Sequence, residues 1–273
     1  MSPVSLSRLL LCLLLLLCCG CGSTGGGLGA DDDDDSAATG DDDDASPGPT
    51  VEQVTLSTAD GLSLAARWQS AGGPGGGAAV LLLHQFGRDR NDFYQLFPIF
   101  EREGISTLAI DFRSHGGSAA ASVSSEQLLT DPNQLIHDVR AGLDFLEAQD
   151  SIVADNRIGI MGLSVGANMA VVANHMANGE QDWAVRTTVA VSPRLDSILA
   201  LADTADLDLA SGLYVAADDE QPQATDCQTL EGVTGAPANS QLVSQTNGAH
   251  GLELLERSYD VREGTVRWFV DWL

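Results

Sequence analysis

The sequence predicts an α/β fold with a mostly parallel central sheet, an N-terminal hairpin and helices on both faces. Three observations carry this. Two alternating segments, 51–57 and 62–68, flank the turn signal Asp60-Gly61 and read as a hairpin. Short continuous apolar runs at 79–83, 105–110 and 157–163 read as strands buried on both faces. Segments of helical period separate those runs, the pattern of strand–helix–strand units.

The elements follow in order. A glycine-rich loop, 72–77, leads into strand 79–83. A helix is expected over 91–103 and a strand over 105–110. Asp131-Pro132 is a helix start, with proline at the first helical position. That helix is expected to run to about residue 149, with Leu135, Val139, Leu143 and Leu146 on one face. Strand 157–163 precedes a small-residue helix, 165–178. Further strands are expected at 185–191, 213–217 and 241–245, a short helix at 194–202, and a terminal helix over 253–273 that Gly264 could break.

Composition limits the function. The chain has 273 residues and 44% hydrophobic residues, enough to bury a sizeable core. Its formal net charge is −26, which argues against nucleic-acid partners, because a phosphate backbone needs a basic surface. All thirteen basic residues are Arg. Residues 1–50 hold nine Asp and one Arg, so 51–273 still carry −18. A high-salt habitat and an Arg-, Ala- and Asp-rich coding bias both fit that balance.

Residues 1–20 read as a signal peptide, with Arg8 before the short apolar run 9–17. Gly20-Cys21 resembles a lipoprotein processing site, which implies lipidation of Cys21, export, and a membrane partner through that anchor. Cys18 stands where such sites usually have Leu, and an ordinary cleaved signal is the alternative. Residues 21–50 read as an acidic tether. Their Asp runs, 31–35 and 41–44, fit a solvated spacer better than a calcium loop, since neither holds a turn-forming Gly. The folded domain is expected over 51–273. Cys227 is the one Cys beyond the leader, so no disulfide is expected within the domain. No metal or cofactor is implied.

The chemistry centres on Gly162-Leu163-Ser164-Val165-Gly166. A G-x-S-x-G string is weak by itself. Here it joins an expected strand to an expected helix, the setting of a nucleophile elbow, where a tight turn demands small flanking residues. Ser164 is the expected nucleophile. A hydroxyl needs a base; in folds built on such an elbow the chain order is nucleophile, acid, base, so the His should come last, and His250 in Asn247-Gly248-Ala249-His250-Gly251 is the only His after residue 175. Asp218, Asp219 and Glu220 follow strand 213–217, and one of them should orient the imidazole. Asp219 is the first choice, then Asp218, then Glu220. The oxyanion donors are expected to be the backbone N–H groups of Val165 and Phe86, with Gln85 the alternative to Phe86.

Leu-Leu-Leu-His-Gln-Phe-Gly at 81–87, Asp-Phe-Arg-Ser-His-Gly at 111–116, the elbow, the acid at Asp219, and Gly-Ala-His-Gly at 248–251 come in the order found in α/β-hydrolases. Over 51–273 the chain resembles that superfamily, nearest its dienelactone-hydrolase-like branch. The resemblance implies cofactor-free hydrolysis of esters, lactones, thioesters or amides. It implies a structural role for the 111–116 loop, so Arg113 and His115 are not candidate catalytic residues. Two departures stand out. Gln85 occupies a position usually held by Gly, and Ser164 replaces the Cys of dienelactone hydrolases proper, which favours ester substrates. Only about twenty residues separate strands 185–191 and 213–217, too few for a large cap, so an open site taking small to medium acyl groups is expected. Amide hydrolysis, acyl transfer and a non-catalytic surface lipoprotein are the alternatives.

Overall fold

The computed structural model describes residues 48–73, 77–179, 183–244 and 246–273. The expected signal peptide, Cys21 and almost all of the acidic tether lie outside the described residues.

The hairpin forms as β1 (Thr50–Ser57) and β2 (Ser63–Ser70), paired antiparallel. Six more strands follow: β3 (Gly77–Leu83), β4 (Ile105–Ile110), β5 (Val153–Leu163), β6 (Thr187–Val191), β7 (Gly212–Ala217) and β8 (Ala238–Val243). They make one sheet in the order β1-β2-β4-β3-β5-β6-β7-β8. β2 meets β4 antiparallel, and every pairing from β4 through β8 is parallel.

The apolar runs are buried on both sides, as their lack of alternation implies. In β3, Ala79, Leu81 and Leu83 enter the core on one face, while Ala78, Val80 and Leu82 enter the core on the other. The first face is covered by α3 (Leu135–Glu147), α4 (Val165–Asn178) and α6 (Gln223–Val233). The second is covered by α1 (Phe97–Arg102), α7 (Leu252–Arg257) and α8 (Tyr259–Trp272). Each fully buried Leu, Phe or Val contributes about 1.5–3 kcal/mol of transfer free energy, so the two cores supply most of the drive to fold.

Several elements differ from expectation, each for a local reason. The helix expected over 91–103 forms as a 3₁₀ turn, Arg90–Phe93, and then α1. Pro98 lies in the first turn of α1; its ring would clash with the carbonyl four residues back in a continuous helix. Asp131-Pro132 does not open α3. Asp131 instead ends α2 (Ser125–Thr130), an unanticipated helix whose capping box pairs Ser124 with Gln127. The terminal helix breaks at Ser258, which turns extended and caps α8 by accepting from the Val261 N–H, while Gly264 lies inside α8. The connection from β6 to β7 holds α5 (Leu195–Leu201), so no cap domain is inserted there.

The 111–116 loop is anchored by buried ion pairs. Arg113 is buried and pairs with buried Asp138 at 2.8 Å and with Asp60 at 2.8 Å. The Arg113 hydrogen bonds hold the Asp60 carboxyl down at about 2. Asp111, also buried, is ion-paired with Arg90.

Candidate active site

The carboxyl ends of the parallel strands gather the chemistry-bearing residues, the edge at which open α/β sheets place their sites. At the end of β5 the chain turns straight into α4 through Ser164, whose backbone sits at φ 54°, ψ −114°. A side chain other than Gly at positive φ is strained, and such strain is sustained where the surroundings fix it. Here the Ser164 N–H donates to the Val191 carbonyl at 2.9 Å, and its own carbonyl accepts from Asn168 at 3.0 Å. The turn also needs its glycines. A Cβ on Gly162 would lie within 3.0 Å of the Gly166 carbonyl, and one on Gly166 would lie equally close to the carbonyls of Leu83 and His84.

The Ser164 hydroxyl donates to His250 Nε2 at 2.7 Å. His250 lies in the loop between β8 and α7, and its ring is 40% exposed, so the site is open to solvent. The structure therefore brings together the expected nucleophile and base. The carboxylate that meets the imidazole is Glu220, the third choice, and not Asp219. His250 Nδ1 donates to Glu220 Oε1 at 2.5 Å. The Asp219 carboxylate instead accepts from the Gly248 N–H at 2.9 Å and from the Thr246 hydroxyl at 3.2 Å. The cause is a turn after β7. The Glu220 N–H donates to the Ala217 carbonyl, which throws Asp218 and Asp219 outward and returns Glu220 to the sheet edge. Its second oxygen accepts from the buried Ser192 hydroxyl at 2.9 Å.

The two expected oxyanion donors are backbone groups. Val165 opens α4, so its N–H has no intrahelical acceptor and stands at the positive end of the helix. Gln85 is the weaker candidate for the second donor, because its N–H already points to Asp92 Oδ2 at 3.3 Å. The Phe86 N–H has no acceptor among the described residues. The loop is set by His84, which is fully buried. Its Nε2 accepts from the Phe112 N–H at 2.9 Å, so the proton must sit on Nδ1, which donates to the Gln85 carbonyl at 2.8 Å. Burial pushes the His84 pKa down to about 4. His115 lies beside it, with the Phe86 ring edge-on at 5.0 Å. Among the described residues no His, Cys, Asp and Glu cluster could hold a metal.

Ser192, which sequence reasoning did not single out, touches Glu220 directly. Its signal was faint: a small polar residue directly after a buried strand, in Val191-Ser192-Pro193.

Several solved structures share this architecture. The Pyrococcus furiosus esterase Pf2001 is 18% identical, with a TM-score of 0.63 over 82% of this chain and 93% of that one. EstE1, a thermostable carboxylesterase cloned from a metagenomic library, is 16% identical, with a TM-score of 0.64 over 82% and 90%. The Pyrobaculum calidifontis esterase is 15% identical, with a TM-score of 0.62 over 83% and 85%. No curated protein matches the chain. The family model for serine aminopeptidase, S33, matches residues 77–230, over half of the chain and spanning the elbow and Glu220. With the strand order, the helices on both faces and that match, the chain belongs to the serine aminopeptidase S33 family and has the α/β-hydrolase fold.

Proposed function

We propose that the protein is a serine hydrolase cleaving carboxylic esters of small to medium acyl groups. The observation that carries this is the continuous relay Ser164–His250–Glu220, with both links at hydrogen-bonding distance and the Ser on a strained elbow. Ser164 Oγ attacks the ester carbonyl carbon while His250 Nε2 takes its proton. Glu220 accepts from the other ring nitrogen, fixing the tautomer and stabilising the imidazolium. The N–H groups of Val165 and Phe86 hold the oxyanion. Collapse returns the proton to the departing alcohol and leaves an acyl-Ser164. Water, deprotonated by His250, then releases the acid and restores the hydroxyl.

The open site and the short β6–β7 connection support small acyl groups, and the esterase names of the structural relatives agree with an ester bond. The likeness to the dienelactone-hydrolase-like branch rests on the 81–87 and 111–116 motifs; Ser164 in place of Cys points away from dienelactones themselves. The test is hydrolysis of p-nitrophenyl esters from acetate to long chains by the protein and by Ser164→Ala. Turnover should peak at short chains and vanish in the variant; a peak at long chains would remove the open-site reading. The family match favours a second reading, removal of N-terminal residues from peptides. Amino-acid p-nitroanilides decide it: cleavage faster than that of the best ester would replace the esterase reading.

The same proposal places the enzyme at the cell envelope through a lipid on Cys21. Labelling with a radioactive fatty acid in the producing cell should be lost in Cys21→Ser; equal labelling of both forms would remove the anchor.

A further inference from the structure

We infer that Gln85 and Ser192 are positioning residues that clamp the loop carrying His250, and that this clamp sets the rate of the proposed hydrolysis. The inference rests on the serine-hydrolase reading of Ser164, His250 and Glu220.

The loop between β8 and α7 must present an imidazole to two partners at once. Immediately after His250 the chain enters α7, so the N–H groups of Gly251 and Leu252 have no acceptor within the helix. Two side chains from distant strand ends take them. Ser192 Oγ accepts from the Gly251 N–H at 2.9 Å, and Gln85 Oε1 accepts from the Leu252 N–H at 3.0 Å. Ser192 follows β6 and Gln85 follows β3, so the loop is pinned from both sides of the β5 elbow.

Each contact is specific. A backbone N–H can only donate, so the Gln85 carboxamide must turn its oxygen toward Leu252. Gly251 sits at φ 54°, and a Cβ there would run into that same oxygen. Gln85 therefore requires Gly251 as its neighbour, and a Gly at 85 would leave the Leu252 N–H without this acceptor. Ser192 is buried, at φ 57°, and uses its hydroxyl twice. The hydrogen goes to Glu220 Oε2 at 2.9 Å while the oxygen accepts from Gly251. One hydroxyl thus ties the acid to the backbone of the base. Misplacement of a reacting group by about 1 Å costs on the order of 10²-fold in rate, which is the scale of what the clamp protects.

The experiment uses the full chain with Ser192→Ala, Gln85→Met and the double variant. Ester hydrolysis is normalised to active sites titrated with a fluorophosphonate. The expected result is a fall in kcat of roughly 10- to 100-fold in each single variant, with KM nearly unchanged, because the loss is confined to the transition state. The Ser192→Ala profile of kcat/KM should also move its acid limb to higher pH. Without the Ser192 hydrogen bond Glu220 is a stronger base and holds the imidazolium more tightly. The double variant should lose less than the product of the singles, since both act on one loop. Unchanged kcat per titrated site, with any loss confined to the amount of folded, titratable protein, would overturn the clamp. If the wild-type chain neither turns over esters nor takes the label, the hydrolase reading falls instead. ¹⁵N resonances of the His250 ring then decide the clamp: shifted or broadened signals in the variants uphold it, and unchanged signals refute it.

Discussion

Three carboxylates in a row, Asp218, Asp219 and Glu220, meet different partners. Asp218 accepts from the Ser244 hydroxyl at 2.6 Å, Asp219 from Thr246 and Gly248, and Glu220 from His250 and Ser192. All three therefore grip the His250 loop, but only one faces the imidazole. Glu220→Gln should lower kcat by about 10⁴, the scale seen when an amide replaces the acid of such a triad. Asp219→Asn keeps an oxygen for Gly248 and should cost less than about tenfold. Steady-state kinetics of the two variants checks this, and a larger loss in Asp219→Asn would reverse the assignment. The sequence singled out Ser164 and His250, which the structure brings together, but ranked Asp219 ahead of Glu220, because which carboxylate faces the imidazole is decided by one turn hydrogen bond from Glu220 to Ala217. A second prediction concerns His84. Its folded pKa lies near 4, below the ordinary 6.5, so the unfolded chain binds the extra proton first. Stability contributed by the neutral ring is present above pH 6.5 and is lost as pH falls toward 4. A ¹⁵N titration should find the ring neutral at pH 5, whereas a midpoint near 6.5 would contradict its burial.

At the scale of elements, the elbow is a contact between a helix and a strand edge that leaves no room for a methyl group. Gly166→Ala sets a Cβ against two backbone carbonyls, which cannot rotate away as a side chain can. Overpacking of this kind costs about 1–3 kcal/mol. Because the strain falls on the turn holding Ser164, labelling by a fluorophosphonate should fall further than the melting temperature does. Comparison of the two in one variant tests it; a lower melting temperature with wild-type labelling would separate the elbow from the site. The ion cluster beneath the 111–116 loop makes a similar demand. Arg113→Ala strands buried Asp138 and should cost about 3–5 kcal/mol in chemical denaturation. The buried strands and α4 were legible because unbroken apolar runs and small-residue periodicity are local signals. Helices α2 and α6 were not: α2 has one fully buried side chain, Leu128, and α6 buries Ala224, Cys227 and Leu230 among polar neighbours. A helix that contributes so little apolar surface leaves little trace in its sequence.

At the scale of the whole molecule, the charge balance is strongly acidic. Residues 51–273 keep a net −18 after their twelve Arg are counted, and several of the ion pairs among the described residues are exposed and individually weak. Carboxylates that repel across the surface are screened once the Debye length shrinks from about 30 Å at 0.01 M to about 3 Å at 1 M. The melting temperature should therefore rise with sodium chloride over that range, as calorimetry can measure. A flat response would leave compositional bias as the account of the acidity.

The site joins residues that lie far apart along the chain: Ser164 meets His250 across 86 positions, and Gln85 meets Leu252 across 167. These meetings exist only when β3, β5, β6, β7 and β8 are all in register. Parallel pairings of that kind close late, because long stretches of chain must be ordered before any contact rewards them. Hydrolytic activity is thus a clock for the last stage of assembly. A refolding chain should regain helix and compactness first and remain chemically silent until the sheet is whole, so that, under the proposed function, a newly made chain is inert until its final strand has docked.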